Sequence, residues 1–219
     1  MRIGTKCLRG FKVLAVVLTC LVVQAIFTLP AHGDEIVGWG RNNFGQATPP
    51  AGTDFVAVAA NGLYGLALKC DGSIVGWGNN EYGQATPPAG NDCIAIAAGY
   101  RHGIALKSDG SLIGWGDNYY GKATPPAGND FTAIAASSLH NLALKTDGSI
   151  VGWGKNEWGA VTPPSGNDFT AVAAGYRHSL ALKSDGSIVG WGSNSYGQMT
   201  PPAGNDFTAI AAGGVHSLA

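Results

Sequence analysis

Apolar and polar positions along the chain alternate with the period of a strand, in short runs broken by turn residues. From Phe131 to Ala136, Phe131, Ala133 and Ala135 interleave with Thr132, Ile134 and Ala136, which predicts a half-buried or fully buried strand whose small alanines let neighbours crowd together. His140 to Lys145 sets Leu142 and Leu144 on one face and predicts a second strand. Ser149 to Gly154 predicts a third, with Trp153 as its largest apolar side chain. Asp147-Gly148 between the last two is the signal of a two-residue hairpin turn with positive φ. The linker from Lys155 to Asp168 carries an aromatic-Gly pair and a double proline, and proline has no N–H to give to a ladder, so it predicts a loop or extended edge.

That unit is repeated. Trp39, Trp77, Trp115, Trp153 and Trp191 follow one another at 38 residues, each inside Gly-Trp-Gly. A period of this length implies units that cannot bury their apolar faces alone and must stack on their neighbours. Three antiparallel strands repeated around an axis predict an all-β fold, a β-propeller built from five 38-residue repeats with three strands per blade. A β-helix would need parallel coils without Asp-Gly hairpins. At the ends, Glu35 to Gly40 reads as a lone third strand, Phe207 to Ala212 as a first strand and Val215 to Ala219 as the start of a second. Together they would complete one shared blade of a closed five-blade ring; the alternative is a truncated seven-blade propeller.

The stretch from Gly175 to Gln198, GYRHSLALKSDGSIVGWGSNSYGQ, recurs in five units. It resembles the repeat of the regulator of chromosome condensation family, and the resemblance covers residues 34–219. The short unit and the leader described below make the chain more similar to the secreted bacterial branch of that family, which includes a β-lactamase inhibitory protein, than to the nuclear exchange factor. Relatives of this kind are seven-bladed, and that number is what the resemblance implies for a complete ring.

Composition fits this picture. With 34 glycines and 11 prolines in 219 residues the chain is rich in turns, while 45% apolar residues suffice for a core and argue against disorder. The formal charge of −1 is unevenly spread. Arg2, Lys6, Arg9 and Lys12 precede an apolar run from Val13 to Leu29, and Pro30, Ala31, His32 and Gly33 supply small residues for a cut. Residues 1–33 therefore read as a signal peptide, with a retained anchor as the alternative, and the remainder as secreted, periplasmic or displayed at the cell surface. Removing those four bases from thirteen leaves nine against fourteen acids, a net −5. Such a balance gives no electrostatic footprint for nucleic acid or an anionic membrane. Cys7 and Cys20 lie in the leader. Cys70 and Cys93 replace Ser or Thr and Phe of sister repeats, match no zinc spacing, and leave their pairing open.

Residues that recur in phase read as scaffold. His102, His140, His178 and His216 fall one per blade, so no metal or acid–base cluster is expected, and each is expected to bond a neighbouring backbone group. Asp71, Asp109, Asp147 and Asp185 read as turn residues, and no serine sits in a nucleophile elbow. Gly116, Gly121 and Lys122 approach a phosphate loop, but Ala123 stands where Ser or Thr belongs and no helix follows. Asn42, Asn80, Asn118, Asn156 and Asn194 are expected to bond the linker backbone. Phe44, Tyr82, Tyr120, Trp158 and Tyr196 are expected to pack between blades.

Residues that differ between units gather at the strand ends opposite the Asp-Gly turns. Tyr100-Arg101 and Tyr176-Arg177 differ from Gly62-Leu63, Ser138-Leu139 and Gly214-Val215. Tyrosine and arginine are common binding anchors. With Tyr119 and Trp158 of the linkers, Tyr100, Arg101, Tyr176 and Arg177 are the expected partner-binding residues. The expected function is a non-catalytic, monomeric protein-interaction module without cofactor or metal, whose partner is an unknown protein. The alternative is a carbohydrate-binding or cell-surface structural module that uses the aromatic linkers.

Overall fold

The alternation is realised unit by unit as small antiparallel sheets in a computed structural model that describes residues 35–219; the expected signal peptide lies outside the described residues. The first blade is β1 (Phe55–Asn61), β2 (Tyr64–Lys69) and β3 (Ile74–Gly78). The second is β4 (Cys93–Ala98), β5 (His102–Lys107) and β6 (Leu112–Gly116), the third β7 (Phe131–Ala136), β8 (His140–Lys145) and β9 (Ile150–Gly154). β10 (Phe169–Ala174), β11 (His178–Lys183) and β12 (Ile188–Gly192) form the fourth, and β13 (Ala211–Ala212) pairs with β14 (Ser217–Leu218) in a two-stranded remnant. Each complete sheet has its second strand in the middle.

Two expectations about strand ends are corrected. Glu35 to Gly40 forms no strand and joins no sheet, and the run from Phe207 is a strand only over β13. The shared closing blade is therefore not formed among the described residues, and four blades are complete. The hairpin also differs from the two-residue turn expected. Lys69 N–H donates to Ser73 O at 2.9 Å and Gly72 N–H to Lys69 O at 3.0 Å, so Cys70, Asp71 and Gly72 make a three-residue loop. Only Gly72 takes positive φ, 85°, and a Cβ there would fall 2.4 Å from Asn91 O. Asp71 stays in ordinary φ because its carboxylate accepts from Ser73 N–H and Oγ at 2.9 and 2.6 Å. Those bonds hold its carboxyl below the usual range, as they do at Asp109, Asp147 and Asp185.

Packing between blades follows from the small residues. Ala67, Ala105, Ala143 and Ala181 on the middle strands are fully buried. The leucines beside them lean on the first strand of the next blade: Leu66 and Leu68 on Ile96 and Ala98, Leu142 and Leu144 on Phe169 and Val172. Polar ties reinforce each joint. Trp77, Trp115, Trp153 and Trp191 donate Nε1–H to the carbonyls of Gln46, Gln84, Lys122 and Ala160, all at 2.8–3.0 Å and 31 residues upstream. For Trp39, 84% exposed, the corresponding carbonyl falls outside the described residues.

His102, His140 and His178 bond side chains of the next blade rather than backbone, which corrects the sequence expectation for these three. Nε2 of His102 lies 2.7 Å from Asn141 Oδ1, that of His140 2.8 Å from Ser179 Oγ, and that of His178 3.0 Å from Ser217 Oγ. Ser179 and Ser217 each spend their single hydroxyl proton on a linker carbonyl, of Ala160 and Gln198. They can only accept from histidine, so Nε2 carries the proton and Nδ1 is bare. Nδ1 of His102 and of His178 has no partner, whereas that of His140 meets Ser137 Oγ at 3.2 Å. The first joint adapts in its own way. Gly103 has no side chain to receive a bond, and the longer Tyr64 takes the histidine phase and donates its hydroxyl to His102 O.

Burial drives the imidazoles neutral: His102 and His178 are pushed down to about 4 and His140 to about 3. The unfolded chain, with histidines near 6.5, binds protons first as pH falls, so stability is complete above about pH 6.5 and lost towards pH 4. His102 and His140 alone should steepen that loss to as much as about 2.7 kcal/mol per pH unit. Urea midpoints measured between pH 7.5 and 4.5 should fall accordingly, and an unchanged midpoint would refute the neutral relay. The tryptophan clamp gives a second expectation. Trp115→Ala, 7% exposed in the parent, should cost roughly 3–5 kcal/mol. Trp39→Ala should cost less than about 0.5 kcal/mol, a surface value; equal losses in urea unfolding would show that burial does not set the role of these residues.

Candidate protein-binding face

Each linker begins at the end of its blade opposite the Asp-Gly loop and is folded around its asparagine. Asn80 Oδ1 accepts from Ala85 N–H at 2.9 Å and its Nδ2 donates to Thr86 Oγ1 at 2.8 Å; Asn42, Asn118, Asn156 and Asn194 repeat the pattern. The expectation for these residues holds. That for the linker aromatics does not, because the turn lifts them out of the joint: Phe44, Tyr82, Tyr120 and Tyr196 are exposed and Trp158 half-buried. A glutamine four residues after the asparagine normally steadies the aromatic. Gln46, Gln84 and Gln198 accept from the amides of Phe44, Tyr82 and Tyr196 at 2.8 Å.

The third linker breaks this rule. Lys122 replaces the glutamine, has no acceptor, and places its ammonium 2.8 Å from the Asp117 carboxylate with both side chains largely buried. Tyr120 takes φ 68°, alone among the described non-glycine residues, and its ring packs against Tyr119 with centroids 4.2 Å apart. Ala160 also lacks an acceptor, yet Trp158 keeps ordinary φ, so the Lys122–Asp117 pair is what sets this linker apart. Burial acts to raise the Asp117 carboxyl, but the Lys122 ammonium and the Tyr119 amide outweigh it and hold the group below its usual value. With Lys122 so engaged, the phosphate-loop resemblance has no structural counterpart.

Cations and rings interleave across this face. The Arg101 guanidinium lies 4.5 Å from the Tyr82 ring centroid and 5.3 Å from that of Tyr100, and Nη1 donates to Tyr82 Oη at 2.9 Å. Arg177 lies 4.2 Å from Trp158 and 5.1 Å from Tyr176. Between them Lys155 sits over Tyr120 and Trp158 at 5.0 and 4.9 Å, paired with Glu157. That carboxylate raises the Lys155 ammonium above its usual value.

Of the six residues expected from the sequence, Tyr100, Arg101, Tyr119 and Tyr176 line one depression of about 420 Å³, over Tyr120 and Lys122. Arg177 and Trp158 are not part of its lining; Arg177 stands against the Tyr176 ring and Trp158 against Arg177. A second hollow of about 230 Å³ lies on the other side of Arg101, towards Phe44 and Glu81. The sequence marks Asp117 and Lys155 as varying between units at this end, but Tyr82 and Lys122 were missed as parts of this surface. Lys122 was visible as a charged residue in a glutamine phase. Among the described residues no three His, Cys, Asp or Glu side chains gather at a metal-binding distance.

The blades and their clamps define a repeat-built β-propeller with scaffold chemistry at its joints and irregular chemistry on one face. The regulator of chromosome condensation (RCC1) repeat matches residues 55–84, 93–122, 131–159 and 169–198, more than half of the chain, and the protein belongs to that family. Among curated proteins none matches. Among solved structures the chain is similar to Prp20p of Saccharomyces cerevisiae, at 21% identity and TM-score 0.64 over 77% of this chain and 56% of that one. It is also similar to the ectodomain of the receptor kinase CR4 of Physcomitrella patens, at 23% identity and TM-score 0.67 over 83% and 52%. The chain thus spans about half the length of these structures.

The buried pair can be tested directly. Lys122→Ala strands the Asp117 carboxylate and should cost about 3 kcal/mol in urea unfolding. Lys122→Gln with Asp117→Asn copies Gln84 and Asn79 of the preceding linker and should recover most of that loss. A double variant as unstable as Lys122→Ala would mean that the charge pair is not what distinguishes this linker.

Proposed function

We propose that this chain is a non-catalytic, exported β-propeller that binds another protein through its loop-tip face. The observation that carries the reading is the placement of its irregular residues. Tyr100, Arg101, Tyr119 and Tyr176, which depart from the repeat on three different units, line one depression, while the repeated Asp, Asn, His and Trp are spent on turns and joints. Arginine held against tyrosine and tryptophan is the composition of binding hot spots. Support of a general kind comes from Prp20p, whose structure is described together with its binding to Gsp1p and histones. The basic-then-apolar leader and the 38-residue unit favour export and kinship with the secreted bacterial branch that includes a β-lactamase inhibitory protein. The carbohydrate reading is weaker, because three of the five linker aromatics, Tyr82, Tyr120 and Trp158, already hold a cation over a ring face that a sugar would need.

The test is affinity capture from the native extracellular fraction with two baits. The first is the parent chain, and the second replaces Tyr100-Arg101 and Tyr176-Arg177 by the Gly-Val that the chain itself carries at 214–215. Affinity for the captured protein should fall at least about tenfold without loss of stability. Full affinity in the quadruple variant would return these positions to neutral variation.

A further inference from the structure

We infer that the partner presents an extended acidic segment to this face, with its carboxylates on Arg101 and Arg177; this rests on the protein-binding reading above. The two ends of the blades treat charge differently. At the Asp-Gly end each lysine is matched within its own blade: Lys69 with Asp54, Lys107 with Asp92, Lys145 with Asp130 and Lys183 with Asp168, at 3.1–3.2 Å. At the loop-tip end the acids of the third and fourth linkers are also matched, Asp117 by Lys122 and Glu157 by Lys155. Glu81 lines the hollow beside Arg101 but makes no ion pair with it. Among the described residues no carboxylate lies within ion-pair distance of Arg101 or Arg177.

Both guanidiniums are nevertheless held in place. Arg101 is set between Tyr82 and Tyr100 and tied to the Tyr82 hydroxyl, and Arg177 between Trp158 and Tyr176. A guanidinium has five N–H donors, and one of those on Arg101 is used. What remains is a pre-positioned fork suited to a carboxylate, with much of the ordering cost met before a partner arrives. The two arginines stand two blades apart, and the blade between them carries the short tip Ser138-Leu139 in the same depression. A chain lying across that low tip can reach both forks, with the rings of Tyr100, Tyr119 and Tyr176 along its sides. A net-acidic chain does not attract polyanions at long range, so recognition has to act at contact, through these two sites.

The probe is a fluorescent glutamate–glycine peptide, compared with its glutamine–glycine counterpart by anisotropy on the full chain. The glutamate peptide should bind at least about tenfold more tightly and weaken as salt rises. Arg101→Met and Arg177→Met should each lose several-fold, whereas Lys69→Met, at the paired end, should not. Equal binding of both peptides, or an equal effect of Lys69→Met, overturns the inference. So does preference for vesicles of anionic lipid over the peptide. The peptide should also displace the captured protein. A capture that is sensitive to the quadruple variant but indifferent to the glutamate peptide would keep the protein-binding reading and remove the acidic one.

Discussion

The fold turns on one bond, from each tryptophan Nε1–H to a linker carbonyl 31 residues upstream. A buried carbonyl without a donor costs more than the bond itself contributes, so each linker must lie where the next blade's tryptophan can reach it. The linker comes from one unit and the indole from the next, which locks adjacent sheets in a fixed relation. In the third and fourth blades the same carbonyls, of Lys122 and Ala160, also accept from Asn141 and Ser179, the residues that receive the histidine bonds. Clamp and histidine relay are therefore one network, and its consequence is that every loop tip emerges at the same end.

Much of this was legible in the sequence because it depends on local chemistry repeated many times. Three strands of the third unit stand where alternation put them, within a residue, and the asparagines fold the linkers as their short amide side chains suggest. What was not legible depends on contacts between units. The histidines were expected to find backbone, yet the residue after each histidine faces the preceding blade, a relation invisible along one strand. The aromatic linker residues were expected in the joints, but the joint is already filled by tryptophan and leucine, and the asparagine turn carries them outward. Tyr100, Arg101, Tyr176 and Arg177 were singled out as departures from the repeat; Tyr82 was not, because it stands in the phase of Phe44, Tyr120 and Tyr196 and looks regular until Arg101 stacks on it.

The third unit shows how one substitution propagates. A glutamine can accept the aromatic amide and also donate, as Gln84 does to Asn79. Lysine can only donate, so the site acquires Asp117 as its acceptor, Tyr120 loses the carbonyl that steadied it, and its backbone settles into a region that a tyrosine seldom occupies. Strain of this kind persists where surrounding structure over-determines it, and here it lies in the depression lined by Tyr100, Arg101 and Tyr176.

Repetition itself explains why that face can vary. A residue at a joint is constrained by two units at once: Trp115 pairs within its own blade yet donates to the Gln84 carbonyl of the linker before it, so one can seldom be changed without the other. The loop tips vary more freely, as Gly-Leu, Tyr-Arg, Ser-Leu and Gly-Val in the same phase demonstrate. Charge follows the same division. At the Asp-Gly end Lys69, Lys107, Lys145 and Lys183 each have a carboxylate within their own blade, which keeps that end of the scaffold indifferent to what is bound. On the loop-tip face the arginines are fixed by aromatic rings instead, and a ring can orient a guanidinium without neutralising it. Orientation without neutralisation leaves charge to be satisfied from outside, which is the physical difference between a scaffold contact and a recognition contact.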